Sequence, residues 1–243
     1  MTEVNNVEND AQNDAQGALI ILRPPGSPQQ LILLFHGMGS NPRAMRPLGE
    51  RLALEFPNAL VVAPQAPTPS GNPNGFEWFG IDGITEENRV ARVASAMPAF
   101  EACVAHWQHV AGVAAPATAL VGFSQGAIMS LESAKRSPPC AGRIVAIGGR
   151  FAALPVDVLL DTTVHFLHGK EDAVIPYRNT VLAAHHLRDL GSDMTAEVLP
   201  FIGHEIHADF IDLVATKLAN HIPNRVWAKA LEAEPKSPDG PSP

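Results

Sequence analysis

Short runs of consecutive apolar residues recur along the chain, and segments with helical spacing separate them. The runs LILLF, ALVV and IVAI begin at residues 31, 59 and 144. A strand that is apolar on both sides is buried on both faces, as in a parallel sheet covered by helices. The alternation of such strands with helices favours the same arrangement. We therefore predict an α/β fold with a mostly parallel central sheet and helices on both faces.

Both ends of the chain differ in composition from its middle. Residues 1–16 are rich in Asn, Asp, Gln and Glu, and residues 229–243 are rich in proline and charged side chains. Segments of this composition bury too little apolar surface to fold. We predict a disordered acidic tail at 1–16, one folded domain at 17–228 that holds the candidate catalytic residues, and a disordered Pro-rich tail at 229–243.

The charge pattern excludes several classes of partner. The chain carries 25 acidic and 17 basic side chains, for a net charge of -8, and no basic stripe appears. Nucleic acid and anionic lipid therefore have no surface to bind. The N-terminus has neither a basic region nor an apolar region of the signal-peptide type, and no apolar run is long enough to span a bilayer. We expect a cytoplasmic protein without membrane insertion.

The two cysteines, Cys103 and Cys140, lack the paired spacing of a metal site or a disulfide framework. Reduced thiols are the simpler interpretation. We expect neither a metal nor a cofactor.

A long helix is predicted after the Pro/Gly-rich loop at 68–83. Apolar residues recur there at steps of three and four from Val90 to Trp107, which is typical of an amphipathic helix. Thr85 is a plausible N-cap for this helix. Pro98 lies inside the pattern and is expected to kink or split the helix.

The clearest chemical signal is the pentapeptide Gly122-Phe123-Ser124-Gln125-Gly126. It lies between a predicted buried strand and a predicted helix. Glycines at both ends let the strand and the helix approach closely, and the sharp turn between them exposes the serine hydroxyl. Ser124 is therefore the candidate nucleophile. The alternative is a tight turn with an inert serine.

A serine hydroxyl needs a base within hydrogen-bond reach and a third group that orients the base. In hydrolases with this type of turn, the order along the chain is serine, acid, histidine. Asp172 follows a predicted strand, and His204 lies between the last strand and the last helix. Both positions, like Ser124, fall at the carboxyl edge of the predicted sheet. Asp172 and His204 are the preferred acid and base, with Glu171 and His207 as alternatives.

Two further histidines, His36 and His168, each close a predicted strand before a glycine. We interpret both as structural or loop-orienting residues.

Acyl transfer also needs hydrogen-bond donors for the oxyanion that develops in the transition state. The amide of Gln125 comes with the turn itself. The loop FHGMGSNP after an early strand can supply the second donor, because two glycines free the backbone around Met38. The amides of Met38 and Gln125 are the candidate oxyanion donors.

With these residues in place, the chain resembles the serine carboxylesterase/phospholipase family of α/β-hydrolases, which includes the acyl-protein thioesterases. The resemblance covers nearly the whole predicted domain, and the segments that carry it are LLFHGMGSNP, SGNPNGFEWFGIDGITEENR, ALVGFSQGAIMSLES, HGKEDAVIP and GHEI. It implies the α/β-hydrolase fold, with Ser124 as nucleophile, Asp172 as orienting acid and His204 as general base. It further implies oxyanion amides at Met38 and Gln125. The sequence GHEIH departs from the small-residue loop typical of the thioesterases, which puts protein deacylation in doubt.

Many α/β-hydrolases insert a cap domain between the sixth and seventh strands. Here only about a dozen residues separate the corresponding predicted strands, which is too few for a large cap domain. We expect an open or shallow site bordered by the loop that carries Phe76, Trp78 and Phe79. These aromatics are candidate substrate-binding residues that form an apolar wall. The alternative is that they anchor the loop to the core.

The expected function is that of a metal-independent serine carboxylesterase that hydrolyses small to medium acyl esters through an acyl-enzyme intermediate. The expected partner is a small-molecule ester, and the oligomeric state is left open. The nearest alternative is an acyl thioesterase or lysophospholipase-like hydrolase. A peptidase or amidase, and a non-catalytic binding module on the same scaffold, are further alternatives.

Overall fold

The computed structural model describes residues 12–13 and 17–233. Within this part of the chain the strands are Gln12–Asn13 (β1), Leu19–Leu22 (β2), Gln30–Phe35 (β3), Ala59–Ala63 (β4), Thr68–Pro69 (β5), Phe76–Glu77 (β6), Thr118–Phe123 (β7), Arg143–Ile147 (β8), Thr163–Gly169 (β9) and Met194–Leu199 (β10). The α-helices are Arg46–Glu55 (α1), Glu86–Ala111 (α2), Gln125–Ser133 (α3), Arg178–Asp189 (α4), Ala208–Asn220 (α5) and Asn224–Ala233 (α6).

Eight of the strands form one sheet in the order β1-β2-β4-β3-β7-β8-β9-β10. Every neighbouring pair from β4 to β10 is parallel. The first two strands join one edge in antiparallel orientation. The remaining two, β5 and β6, form a small hairpin within the loop at 68–83. The mostly parallel sheet expected from the apolar runs is confirmed.

Helices cover both faces of this sheet. On one face α2, α3 and α4 bury side chains such as Phe100, Met129 and Leu187 against the strands. On the other face α1 and α5 bury side chains such as Leu48 and Phe210. The structure therefore has the three layers of an α/β-hydrolase.

None of the described helices combines the length and the apolar character needed to cross a bilayer.

The longest helix, α2, begins at a capping box. The Thr85 hydroxyl accepts a hydrogen bond from the Asn88 amide at 3.3 Å, and the Asn88 side chain accepts one from the Thr85 amide at 2.8 Å. The helix then continues through Pro98 to Ala111. Of the two expected effects of Pro98, the split is therefore wrong, and the kink stays a prediction. Pro98 and Ala94 lie on the exposed face of α2, where water can bond the Ala94 carbonyl that the proline leaves without an amide donor.

The connection between β8 and β9 covers residues 148–162 and contains no helix or strand. No cap domain is therefore inserted at this point of the sheet, as expected from the short spacing.

The ends of the fold differ from the predicted boundaries. Strand β1 lies inside the segment predicted as an acidic tail, and α6 continues five residues past the predicted boundary at 228. The start of α6 is held to the sheet, because the Arg225 guanidinium donates hydrogen bonds to the Thr163 hydroxyl and the Gly142 carbonyl. The remaining residues of both predicted tails lie outside the described part of the chain.

His165 is a histidine in the interior of the sheet. Its side chain on β9 is fully buried, and its Nδ1 lies 2.9 Å from the Thr195 hydroxyl. Its Nε2 has no hydrogen-bond partner among the described residues. Burial, followed by electrostatic repulsion from His221 and Arg143, lowers the pKa of His165 from 6.5 to about 3.

Stability should therefore fall in acid because of His165. The folded chain keeps this side chain neutral down to about pH 3, whereas the unfolded chain protonates it below 6.5. The free energy of unfolding should decline across that window by up to about 1.4 kcal/mol per pH unit. His165→Asn, which cannot titrate, should show a flatter curve in urea unfolding at a series of pH values. The same change at the exposed His185 on α4 is the control, and parallel curves for wild type and His165→Asn would contradict the expectation.

Candidate active site

Ser124 lies in a sharp turn between β7 and α3. Its φ of 52° and ψ of -114° are values that residues with a side chain rarely adopt. The Ser124 amide donates to the Ile147 carbonyl at 3.0 Å, and the Ser124 carbonyl accepts from the Ile128 amide at 3.0 Å. The hydroxyl does not cap α3. The turn therefore fixes the backbone and leaves the hydroxyl available to another partner.

The two glycines around Ser124 are required by close packing of backbone on backbone. A Cβ on Gly122 would lie 2.5 Å from the Ala127 amide nitrogen, and a Cβ on Gly126 would lie 2.6 Å from the Phe35 carbonyl carbon. These distances are far inside van der Waals contact. The strand and the helix can approach this closely only because both positions lack a side chain.

We expect Gly126→Ala to lower the free energy of unfolding by about 3 kcal/mol. The added methyl group would overlap the backbone of the central strand β3, which cannot move without disturbing the sheet. Urea unfolding measures the change. In the control Gly26→Ala, the added Cβ meets nothing within 4 Å, so its effect should stay within about 0.5 kcal/mol. Equal losses in the two variants would contradict the packing argument.

His204 connects Ser124 to Asp172 through its two ring nitrogens. The Nε2 atom lies 2.9 Å from the Ser124 hydroxyl, and Nδ1 lies 2.7 Å from Asp172 Oδ2. Because an ionised carboxylate can only accept, Nδ1 carries the proton and Nε2 accepts from the hydroxyl. The Phe123 ring packs 4.9 Å from the imidazole, between ring centres. The structure thus brings the three predicted residues together in the order serine, histidine, acid.

Asp172 is held in its ionised form by hydrogen bonds. Its side chain is fully buried, and its Oδ1 accepts from the Val174 and Ile175 amides at 2.9 and 2.8 Å. Burial alone would raise the pKa of this carboxyl. The hydrogen bonds from His204 and the two amides outweigh burial, and the pKa lies below its ordinary value.

His168 and His36 hold loops around the site. The Nε2 of His168 donates to the Ile175 carbonyl at 2.7 Å and lies 3.2 Å from Asp172 Oδ2, so this ring supports the segment that carries the acid. The Nε2 of His36 accepts from the Ala66 amide at 3.2 Å. Burial lowers the pKa of both histidines. Neither is hydrogen-bonded to Ser124, in keeping with their interpretation as loop-orienting residues.

The alternative acid and base lie elsewhere. The Glu171 side chain is exposed to solvent. His207 is the N-cap of α5, where its Nδ1 accepts from the Asp209 amide at 3.2 Å. The structure gives neither residue a hydrogen bond to Ser124 or His204.

Met38 and Gln125, the predicted sources of the oxyanion amides, lie close to Ser124 in the structure. Both residues line the same cavity as the serine. Among the described residues, neither amide donates a hydrogen bond to a protein acceptor. Gly39, with a φ of 70°, allows the turn that follows Met38. Two unpaired backbone donors are therefore available beside the serine hydroxyl.

The Gln125 side chain ties the aromatic loop to the turn at Ser124. Its Oε1 accepts from the Trp78 amide at 2.7 Å, and its Nε2 donates to the Phe79 carbonyl at 2.6 Å. No sequence pattern indicated this connection, because it joins residues about fifty positions apart through backbone atoms. One residue thus supplies a candidate oxyanion amide and also fixes the wall beside it.

The three predicted substrate-binding aromatics occupy different environments. Phe79 lines the cavity at Ser124. Trp78 instead packs edge-on against Phe35 in the core, and its indole donates to the His36 carbonyl at 2.9 Å. Phe76 pairs with Ser40 and borders a separate depression. Trp78 and Phe76 therefore do not line the cavity at Ser124, and their contacts favour the loop-anchoring alternative.

The cavity at Ser124 has a volume of about 440 Å³. Its apolar lining consists of Met38, Phe79, Ile81, Ile128, Val174, Ile175 and Pro176, and its polar lining beyond Ser124 and Gln125 consists of Glu86, Arg89, Arg150 and Asn179. An apolar wall with a few polar groups is typical of a site for a small organic molecule.

The three-layer fold defines the chain as an α/β-hydrolase. The phospholipase/carboxylesterase family model matches residues 16–222. The chain belongs to this family.

Individual relatives agree with that assignment. The chain is 46% identical over 212 residues to Esterase YpfH of Escherichia coli, which covers 87% of this chain and 91% of that protein. It is 30% identical over 164 residues to acyl-protein thioesterase 1 of Kluyveromyces lactis, which covers 61% of this chain and 72% of that protein. Among solved structures, esterase PE8 superposes with a TM-score of 0.74 at 31% identity, over 84% of this chain and 97% of that one.

Proposed function

We propose that this protein is a serine carboxylesterase that hydrolyses small to medium acyl esters through an acyl-enzyme intermediate. The observation that carries the proposal is the continuous hydrogen-bonded chain from the Ser124 hydroxyl through His204 to Asp172. This arrangement activates a hydroxyl for attack on a carbonyl, because the base and its orienting acid are already in place.

In the first half of the reaction, Ser124 Oγ attacks the ester carbonyl while His204 Nε2 takes its proton. Asp172 keeps the other ring nitrogen protonated and stabilises the imidazolium that forms. The amides of Met38 and Gln125 donate to the oxyanion of the tetrahedral intermediate. Collapse of the intermediate releases the alcohol, which receives its proton from His204, and leaves the acyl group on Ser124.

In the second half, His204 takes a proton from a water molecule, and the resulting attack on the acyl-enzyme repeats the same geometry. The carboxylic acid leaves and the serine recovers its proton. The same residues thus serve both halves of the cycle without any further group.

The preference for small to medium acyl groups is supported by the shape of the site. The segment at 148–162 contains no helix or strand that could cover the cavity, and the cavity of about 440 Å³ has an apolar wall that includes Phe79 and Ile128. An acyl group would be partly covered by this wall and partly exposed to water.

An acyl thioesterase is the second candidate. The observation that favours it is the similarity to a protein named acyl-protein thioesterase 1. Cleavage of a thioester uses the same oxyanion donors and the same base, so the difference between the two candidates lies in the acyl group and the leaving group.

The test is steady-state hydrolysis of a p-nitrophenyl ester series from acetate to palmitate, with wild type and Ser124→Ala measured in parallel. A maximum at short or medium chains that disappears in the variant is the expected result. A maximum at long chains would favour the thioesterase or lysophospholipase-like candidate. Failure to find any Ser124-dependent hydrolysis would favour a non-catalytic binding module instead.

A further inference from the structure

Three charged side chains form an ion cluster on the wall of the cavity at Ser124. Glu86 and Arg89 lie in the first turn of α2, and Arg150 lies just beyond β8. Arg89 Nη2 is 3.0 Å from one oxygen of Glu86, and Arg150 Nη2 is 2.8 Å from the other. All three side chains line the cavity together with Ser124. The cluster therefore belongs to the surface that a bound ester would meet.

This cluster leaves the cavity wall with a net positive charge, since two guanidinium groups face one carboxylate. The whole chain, by contrast, has a net charge of -8. Asp172 does not line the cavity, and its two oxygens already accept bonds from backbone amides and from His204. A local positive charge in an acidic protein attracts anions to this place.

The two arginines differ in how many of their donors are occupied. Arg150 donates through Nη1 and Nη2 to Glu86 and through Nε to the Phe151 carbonyl. Arg89 donates through Nη2 to Glu86, whereas its Nε is shielded from water and has no partner among the described residues. A shielded donor without an acceptor is unfavourable. That Nε is out of reach of a ligand in the cavity. Arg89 Nη1, however, makes no hydrogen bond to a described residue and is not shielded from water, so it is the donor left for an acceptor in the cavity that Arg89 and Ser124 both line.

We propose that the esters hydrolysed here carry a carboxylate group, which binds to Arg89 while Arg150 adds positive charge. The proposal rests on the proposed esterase function and adds the substrate class. A guanidinium presents its N–H groups in a planar fork that matches the two oxygens of a carboxylate. Glu86 holds both guanidinium groups in place and cancels one of the two charges. A single anionic group on the substrate then neutralises the other charge.

The first test compares two esters with equal acyl length, p-nitrophenyl hexanoate and the mono-p-nitrophenyl ester of adipic acid. The measured quantity is the ratio of kcat/KM for the adipate ester to kcat/KM for the hexanoate ester. Arg89→Gln should lower this ratio about tenfold, since it removes a hydrogen bond to a charged group. The change should be mainly an increase in KM for the adipate ester. Added salt should also lower the wild-type ratio, because it screens the attraction between Arg89 and the carboxylate.

A second pair of substrates places the charge on the alcohol side. It consists of p-carboxyphenyl butyrate and the neutral compound in which the carboxyl group of the phenyl ring is converted to a methyl ester. A response of this pair to Arg89→Gln, without a response of the adipate pair, would assign the carboxylate to the alcohol. A response of the adipate pair would assign it to the acyl group.

Further variants separate recognition from structural support. In the substrate pair that responds to Arg89→Gln, Arg150→Gln should lower the charged-to-neutral ratio of kcat/KM by a smaller factor. Glu86→Gln should raise that ratio, because the wall gains positive charge. Arg92→Gln is the matched control, since Arg92 lies on the same helix, is hydrogen-bonded to the Gly80 carbonyl and does not line the cavity. This control should leave both ratios unchanged.

The inference is overturned if Arg89→Gln leaves both ratios within twofold of wild type, whether the individual rates are unchanged or fall together. A common fall on charged and neutral esters would mean that the cluster only stabilises the fold. In either case, Ser124-dependent hydrolysis of p-nitrophenyl hexanoate would leave the esterase function intact. Absence of Ser124-dependent hydrolysis of all four esters, charged and neutral, would refute the esterase function itself.

Discussion

Ser124→Ala is expected to lower kcat for a p-nitrophenyl ester by on the order of 10⁶-fold, as found when the nucleophile of a catalytic triad is removed in other hydrolases. Without Oγ, His204 has no nucleophile to deprotonate, although the oxyanion amides and the cavity remain. The steady-state rate of p-nitrophenol release at saturating ester measures kcat. The loss should be the same for every acyl length, because the missing atom acts on the carbonyl and not on the chain.

The fold should survive this substitution. Alanine meets the same backbone strain at a φ of 52°, so urea unfolding should change by less than about 1 kcal/mol. Ser95→Ala, which removes an exposed hydroxyl from α2, is the activity control and should leave kcat unchanged. Substantial activity in a folded Ser124→Ala protein would show that another residue is the nucleophile.

Asp172→Asn is expected to lower kcat by about 10⁴-fold, by comparison with the same change in a serine protease. The asparagine oxygen would remain with the Val174 and Ile175 amides, which require an acceptor. The amide nitrogen would then face His204 Nδ1 and force the proton onto Nε2. In that tautomer the imidazole cannot accept the Ser124 proton.

The expected loss of kcat is specific to Asp172, so the control is the neighbouring carboxylate of Glu171. Glu171→Gln removes an exposed charge one residue away and should change kcat less than about twofold. The tautomer can be read directly from the nitrogen chemical shifts of His204 in both variants. If Asp172→Asn kept wild-type activity, the orienting role of this residue would be refuted.

The fold could be predicted almost entirely from the sequence, because its signals are local. Runs such as LILLF at β3 are apolar throughout, and only a strand with helices on both sides places such a run in contact with apolar atoms on both faces. The helix α6 could not be predicted in the same way, because its residues are followed by prolines and charges. Its start is held by Arg225, and this contact is made with strands distant in sequence.

In the candidate site, too, the residues with local sequence signals could be predicted, and those defined by contacts between distant segments could not. Ser124, Asp172 and His204 could be selected because each follows a strand and the order of residue types is restrictive. The positions of Trp78 and Phe79 could not be separated, since neighbouring aromatics in a loop give no signal for which ring points to the core. The cluster around Arg89 was missed for a related reason. Its members come from a helix and a distant loop, and charge alone does not distinguish them from surface residues.

The bridge made by Gln125 has a consequence for how this enzyme can change over evolutionary time. Both of its side-chain hydrogen bonds go to backbone atoms, the Trp78 amide and the Phe79 carbonyl. A different side chain at position 79 would keep both hydrogen bonds that attach the loop to the turn at Ser124, but it would also have to fill the core space that the buried Phe79 occupies. Under the proposed function, mutation of the wall would change which acyl group fits while the candidate oxyanion amide of Gln125 keeps its position. The shape of the cavity wall and the backbone geometry of the turn at Ser124 are thus set by different atoms of one short segment of chain.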